Sequence, residues 1–353
     1  MGGKRLLGLE IIRIFACLCI LIIHFNAQVS GWSQYGRFQF PNHLIPNFYF
    51  EVYLGEIGVG LFFILSGAGL YNGYNFNTLS IDNIKSFYFK RAKSLYPYYW
   101  VAFIFASFAS FLWYKGMSMS KPITVITSIL GIDGYMGMLF NRFSGFYQVG
   151  EWFLGCIIII YILYHFISCG LNKFPILVCL LVFLQYYFFI DRLQYHWFFF
   201  QFPYILLGYF YMKYLKKRDI KELFFGACFL SFVRMALNSS MHYYTKSIFT
   251  CTVLFIVILF IYDTLNKYCN ISDSNKVSLY IRKTAILTYP AFLIHHKLIS
   301  MLAPTFNLQV FPYRYTVMLF LIYICIVGYL SIKLYNFTNI IMKRIDYNIQ
   351  LKE

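Results

Sequence analysis

The chain has 353 residues, 60% of them hydrophobic and only 12% charged, with a net charge of +17. An ordinary soluble domain carries about twice that charged fraction, so a water-soluble enzyme is excluded. Nor does the positive charge point to nucleic acid, because Lys and Arg gather in the cytoplasmic loops of membrane proteins; the continuously apolar runs exclude a β-barrel, which would alternate.

The predicted elements are membrane-spanning helices, and the first, about residues 6–28, is the most unusual. It holds Glu10, Arg13 and His24 inside an apolar run. A charge in lipid costs about 2.5–3.5 kcal/mol on insertion scales, so such residues are functional by default. Glu10 and Arg13 are neighbours on one helix face and can pair. Arg13 and His24 return to nearly the same face, separated by roughly 16 Å of rise. One stripe then carries an ion pair in the inner half of the bilayer and an imidazole in the outer half. A neutralised structural pair with an interfacial histidine fits this spacing equally well.

A loop follows through about residue 53. The second span, about 55–75, repeats small residues (Gly58, Gly60, Gly67, Ala68), which permits close helix approach. A polar loop with Lys85, Lys90, Arg91 and Lys93 leads to the third span, about 95–115. The connection 116–147 contains Asp133 and Arg142, and loops of this length are often functional. The fourth span opens at Gly150-Glu151-Trp152, which places Glu151 at the outer surface. Spans five to seven are expected at about 175–190, 196–214 and 221–237, the last interrupted by Arg234. Spans eight to ten are expected at about 246–265, 284–303 and 313–337. Arg234 and Asp263 are both intramembrane and are expected to pair.

Ten spans place both termini on one side. With a cytoplasmic N-terminus, the inner loops collect Lys4, Arg5, Lys85, Lys90, Arg91, Lys93, Lys173, Lys213, Lys216, Lys217, Arg218, Lys267, Lys276, Arg282, Lys283, Lys343, Arg344 and Lys352. The outer loops keep only scattered cases such as Arg37, Lys121, Arg142, Arg192 and Arg314. The expectation is an all-α polytopic membrane protein of about ten helices, N-in and C-in. It forms one domain over residues 1–353 with no separate soluble part, in the cytoplasmic membrane of a bacterium. The nine Cys contain no Cys-x-x-Cys pair and read as small hydrophobes, with no metal site. No cleavable signal peptide is evident.

Four stretches together resemble the acyltransferase-3 family of integral-membrane acyltransferases. Leu9-Glu10-x-x-Arg13-x-x-Ala16 with His24 is similar to the family's acidic-x-x-Arg opening and Arg-x10-His signature. Gly58-Val59-Gly60-Leu61-Phe62-Phe63-Ile64-Leu65-Ser66-Gly67 resembles its Gly-Val-x-Leu-Phe-Phe-x-Leu-Ser-Gly helix. Lys90-Arg91-Ala92-Lys93-Ser94-Leu95-Tyr96-Pro97 resembles its basic run before Tyr-Pro, and Tyr289 to His296 a late Tyr…Phe-Leu-x-His segment. Two positions depart from the pattern. Ser94 stands where an Arg often completes Arg-x-x-Arg, and Ile157 stands where many members carry Glu, the acid here being Glu151. The Gly-Glu-Trp-Phe-Leu version is similar to members associated with cell-surface polysaccharide. Some relatives carry a fused extracytoplasmic hydrolase-like domain; here a separate protein would take that part.

The resemblance implies transfer of an acyl group, usually acetyl, from acetyl-CoA or another cytosolic acyl-CoA to a hydroxyl of a sugar or polysaccharide acceptor, with no tightly bound cofactor. His24 is then the general base or a transient acyl carrier, and Arg13, fixed by Glu10, orients the donor. Arg91, Lys90 and Lys93 suit the phosphates of coenzyme A, although lipid headgroups or plain positive-inside charge would use them too. Glu151 binds acceptor hydroxyls or orients His24, or it is only a helix-start acid. Trp152 stacks on a sugar or belongs to the interfacial aromatic belt. One of His295 and His296 faces the cavity. Expected partners are the bilayer and the two substrates, with a homo-oligomer or glycan-assembly proteins as further candidates and no nucleic acid. The competing class is a multi-span transporter or flippase of a polysaccharide precursor or other small molecule; the internal repeats and paired broken helices of many transporters are not seen here. A third is a sensor or scaffold with a vestigial cavity.

Overall fold

The structure, a computed structural model, describes residues 6–30, 44–74, 76, 80–114, 124–140, 149, 152–191, 198–269, 275–306 and 313–350. Helix α1 (Leu7–Ser30) is followed by a hairpin, β1 (Phe48–Tyr49) and β2 (Val52–Tyr53), and by α2 (Leu54–Gly73) and α3 (Ile81–Tyr114). Two short helices, α4 (Val125–Ile129) and α5 (Asp133–Leu139), precede α6 (Trp152–Lys173) and α7 (Pro175–Phe189). Then come α8 (Phe202–Phe210), prolonged by a π-helical turn at Tyr211–Leu215, α9 (Ile220–Ala236), α10 (Tyr243–Cys269), α11 (Lys276–Phe306) and α12 (Tyr313–Gln350). Among the described residues, α1, α2, α3, α6, α10, α11 and α12 are long and apolar enough to cross a membrane. The expected spans five, six and seven fall on the shorter helices α7, α8 and α9.

Two segments differ from the expected reading. The basic run 85–93 is not a loop but the first turns of α3. At 1.5 Å per residue that 34-residue helix is about 50 Å long, well beyond a hydrocarbon core of about 30 Å, so it carries its charged end outside the apolar part. The long connection after it is also partly helical, at α4 and α5.

The chain divides into two compact units. The first comprises Met1–Ile23, Ile45–Leu79 and Leu163–Ile286. Its centre is α2 against α8. Gly67 lies against the carbonyl of Ile205 and Gly208 against that of Ile64, so a Cβ on either would overlap backbone. This is the close approach expected of small residues in a membrane helix. At one end of the unit, Phe76 N–H donates to Ser168 Oγ at 3.0 Å, and Lys213 Nζ and Tyr209 Oη donate to Asn172 Oδ1 at 3.2 and 2.9 Å. At the other end, Tyr53 N–H donates to Tyr243 Oη and Lys246 Nζ to Glu51, while Arg234 donates to the carbonyl of Phe50. Helix α7 leaves the first end at Pro175 and reaches the second, where Tyr186 meets Thr245. Helix α8 returns from Tyr204, bonded to Ser247, to Lys213. Helix α9 then climbs from its cap Asp219 to Arg234. All three shorter helices therefore run between the same two ends as α2. The expected Arg234–Asp263 pair is not formed: Arg234 is held at the hairpin, and Asp263 pairs with Lys267 one turn along α10 at 2.7 Å.

The second unit comprises His24–Leu44, Ser80–Ile162 and Leu287–Glu353. Helices α3 and α12 pack through Tyr98, which bonds Asn339 at 2.9 Å and stacks on Tyr335, and through Phe105 on Phe337. The short α4 docks on the middle of α3. Its last carbonyls have no intrahelical donor; Tyr99 donates to Ser128, Trp100 to Ile129 and Tyr96 to Leu130. Three aromatic donors thus serve carbonyls at this end, that of Ser128 alongside the Gly131 N–H at 3.1 Å. Gly131 turns the chain with φ +73°, a conformation that favours glycine. The segment then seats Tyr135 against Gly155 of α6.

Candidate functional site

His24 sits on the last turns of α1, and its ring faces two others. The centroids of His295 and His296 on α11 both lie 4.9 Å from that of His24. Neighbours on a helix are about 100° apart, and a ring wedged between them can touch both. His295 is fully buried and its Nδ1 lies 2.7 Å from the carbonyl oxygen of Phe292. A carbonyl can only accept, so Nδ1 is the donor in this contact. Tyr323 of α12 donates to the His295 carbonyl at 3.2 Å and packs on Phe25, the residue after His24. The cluster is therefore held on three helices.

The start of α6 adjoins it. Phe153 packs on Phe292 at 5.4 Å, and Phe292 on His295 at 5.7 Å. Trp152, half-buried, is the preceding residue. Tyr161 of α6 meets Arg91, so Trp152, nine residues earlier, stands only about 13 Å further along, part-way up α3. Glu151 itself lies outside the described residues.

Arg91 is half-buried on α3, its guanidinium 5.7 Å from the Phe87 ring and 5.5 Å from that of Tyr161, within cation–π range. Lys90 and Lys93 flank it and are exposed. Ser94, at the departure from Arg-x-x-Arg, donates to the Arg91 carbonyl at 2.9 Å and serves the helix rather than an anion. In the first unit, Glu10 and Arg13 form the pair their spacing requires, with Nη1 to Oε2 at 3.5 Å; the carboxylate is buried and the guanidinium a third exposed. Arg13 and His24 share one unbroken helix.

Sequence reasoning noted Asp133 only as a loop acid. It is buried, accepting from Ser128 Oγ at 2.7 Å and from the Gly134 N–H at 2.9 Å. Its position in an aromatic-capped helix pair had no local signal. The signal that existed was an acid in a connection too apolar for open water.

What this arrangement can do chemically is accept and pass a proton among three neighbouring imidazoles. A family model described as an acyltransferase domain matches residues 6–332. No curated protein and no solved structure matches the chain. The match covers all four motif stretches and nearly the whole chain, and the protein belongs to the acyltransferase-3 family.

Proposed function

We propose that the protein is a membrane O-acyltransferase moving an acyl group, acetyl in the simplest case, from cytosolic acyl-CoA to a hydroxyl of a cell-surface or lipid-linked sugar. The observation that carries this is the three-imidazole cluster around His24. A thioester is attacked only by a nucleophile that gives up its proton, and histidine is the side chain poised for that near neutral pH. In the direct version, the acceptor O–H gives its proton to His24, and the oxygen bonds to the thioester carbon. The C–S bond then breaks and the leaving thiolate takes the proton. In the relay version, a His24 ring nitrogen bonds to the thioester carbon as the C–S bond breaks and coenzyme A leaves as the thiol with the ring's proton; the acceptor oxygen then takes the acyl carbon as the C–N bond breaks, and its proton returns to the ring. His295 positions the His24 ring or takes over its proton. Arg91, aligned by Phe87 and Tyr161, meets the donor phosphates with Lys90 and Lys93 beside it. Arg13, fixed by Glu10, orients the rest of the donor. Trp152, with Glu151 before it, faces the acceptor.

The three short helices that run end to end in the first unit support a ten-span, N-in and C-in reading. In that orientation the basic turn at Lys216, Lys217 and Arg218 falls on the cytoplasmic side with Lys213, and the membrane is proposed to be the cytoplasmic membrane of a bacterium.

The test is release of free coenzyme A from acetyl-CoA by purified protein, with and without a polysaccharide acceptor, for wild type and His24→Ala. The expected result is release by the wild type and a loss of about 10²–10⁴-fold in a variant that still elutes as a folded species. Equal turnover in both would remove His24. Substrate uptake into vesicles without thioester consumption would establish the transporter instead.

A further inference from the structure

The end of the first unit that carries the hairpin holds a polar network that the acyl-transfer steps do not use. Phe48 pairs with Tyr53 and Tyr49 with Val52, leaving Phe50 and Glu51 as the two turn residues. Their φ angles are +50° and +59°. A two-residue turn of this hand favours Asn and Gly, and a Phe there is costly unless its surroundings hold it. They do so from two helices. Arg234 donates to the Phe50 carbonyl, Asn238 Nδ2 to Glu51 Oε1 at 2.9 Å, and Lys246 Nζ to Glu51 Oε2 at 2.6 Å. The result is an aromatic ring 68% exposed at the tip, beside a carboxylate and an amide.

Two further observations point to a missing ligand. Arg234 is 7% exposed, and among the described residues neither its Nε nor Asn238 Oδ1 has a hydrogen-bond partner. A buried donor and a buried acceptor left open each carry a desolvation penalty of about 1–3 kcal/mol. Two cations, Arg234 and Lys246, also stand behind the Glu51 carboxylate. Leu44, just before the hairpin, donates its N–H to Asn26 near the C-terminal end of α1, so with α1 crossing the membrane the hairpin lies on the outer face if the N-terminus is cytoplasmic.

We propose that this corner is a seat for an acidic sugar, a unit of the acceptor glycan that carries a carboxylate. The Phe50 ring takes one face of the pyranose, Asn238 and Glu51 bond its hydroxyls, and the charge of Arg234 and Lys246 selects the anion. Hydroxyls both donate and accept, which matches an amide beside a carboxylate. A phosphodiester group only accepts and offers no donor to Asn238 Oδ1. The role as acceptor seat rests on the acyl-transfer reading, but the binding itself does not.

The test is calorimetric titration of the detergent-purified full chain with an oligogalacturonide and with a neutral maltooligosaccharide, for wild type, Phe50→Ala, Phe50→Tyr and Asn238→Ala. The acidic oligosaccharide is expected to bind at least about ten-fold more tightly than the neutral one. Phe50→Ala should lose about ten-fold, on the scale of one well-placed aromatic contact, while Phe50→Tyr keeps affinity. Equal binding of the neutral oligosaccharide overturns the acidic class. No effect of Phe50→Ala, with the variant eluting as the wild type does, overturns the seat. Displacement of the oligosaccharide by phosphatidylglycerol micelles assigns the corner to lipid and overturns it too. Coenzyme A release without oligosaccharide binding sinks the seat alone; binding without any coenzyme A release sinks the acyl-transfer reading and leaves the seat standing.

Discussion

Glu10 and Arg13 show how far single residues can be read. Three positions apart on a helix, they have to be neighbours, and they pair. Glu51 shows the opposite. Nothing near it in sequence supplies a cation, yet Lys246 and then Asn238 hold its carboxyl below the ordinary glutamate range. A carboxyl whose folded pKa is depressed contributes stability above its unfolded value, about 4.3, and loses it as pH falls through the folded value. The hairpin anchorage is thus expected to be complete at pH 6 and above, and to weaken on acidification below that range. Hydrogen exchange of the 48–54 segment, corrected for intrinsic rates, checks this. Glu51→Gln at neutral pH should reproduce the acid behaviour, and indifference of the segment to both changes would refute the anchor.

Among the elements, the pairing of α2 with α8 is the tightest constraint. Gly67 and Gly208 face backbone carbonyls reciprocally, so neither tolerates a side chain without pushing the helices apart. Gly208→Val is expected to destabilise the first unit by about 3 kcal/mol or more, as overpacking does, and to lower the recovery of monodisperse protein. Gly226→Val on α9, where an added Cβ meets nothing within 4 Å, is the control and should behave as wild type. Thermal unfolding in detergent compares them. Helix α4 makes the same point by polar means, since Tyr96, Tyr99 and Trp100 supply the donors its five residues cannot.

For the whole molecule, the decisive matter is which way each helix runs. Within the first unit, Asn172 and Lys213 mark one end, and Glu51 and Lys246 mark the other. If the positive-inside pattern sets the orientation, a cysteine at Glu51 reacts with an impermeant maleimide from outside the cell, and one at Lys217 reacts only after permeabilisation. Exposed Cys228 and Cys325 are replaced first. Labelling of both from one side would show that α9 does not cross, and with it the ten-span reading would fall.

The sequence by itself determined the class of the protein. Long apolar runs with sparse charge can only be membrane helices, and four motif stretches in order identified the family. It also placed His24 and Arg13 on one helix, because periodicity along one helix is a local property, whereas it left Arg91 in a loop that the structure makes part of α3. The tertiary structure alone decided that both His295 and His296 meet His24, that α6 starts part-way along α3, and that Arg234 turns to Phe50 rather than Asp263. Each of those depends on contacts between residues far apart in the chain. Composition and spacing say which side chains a helix carries, but only packing against other helices says which of them meet.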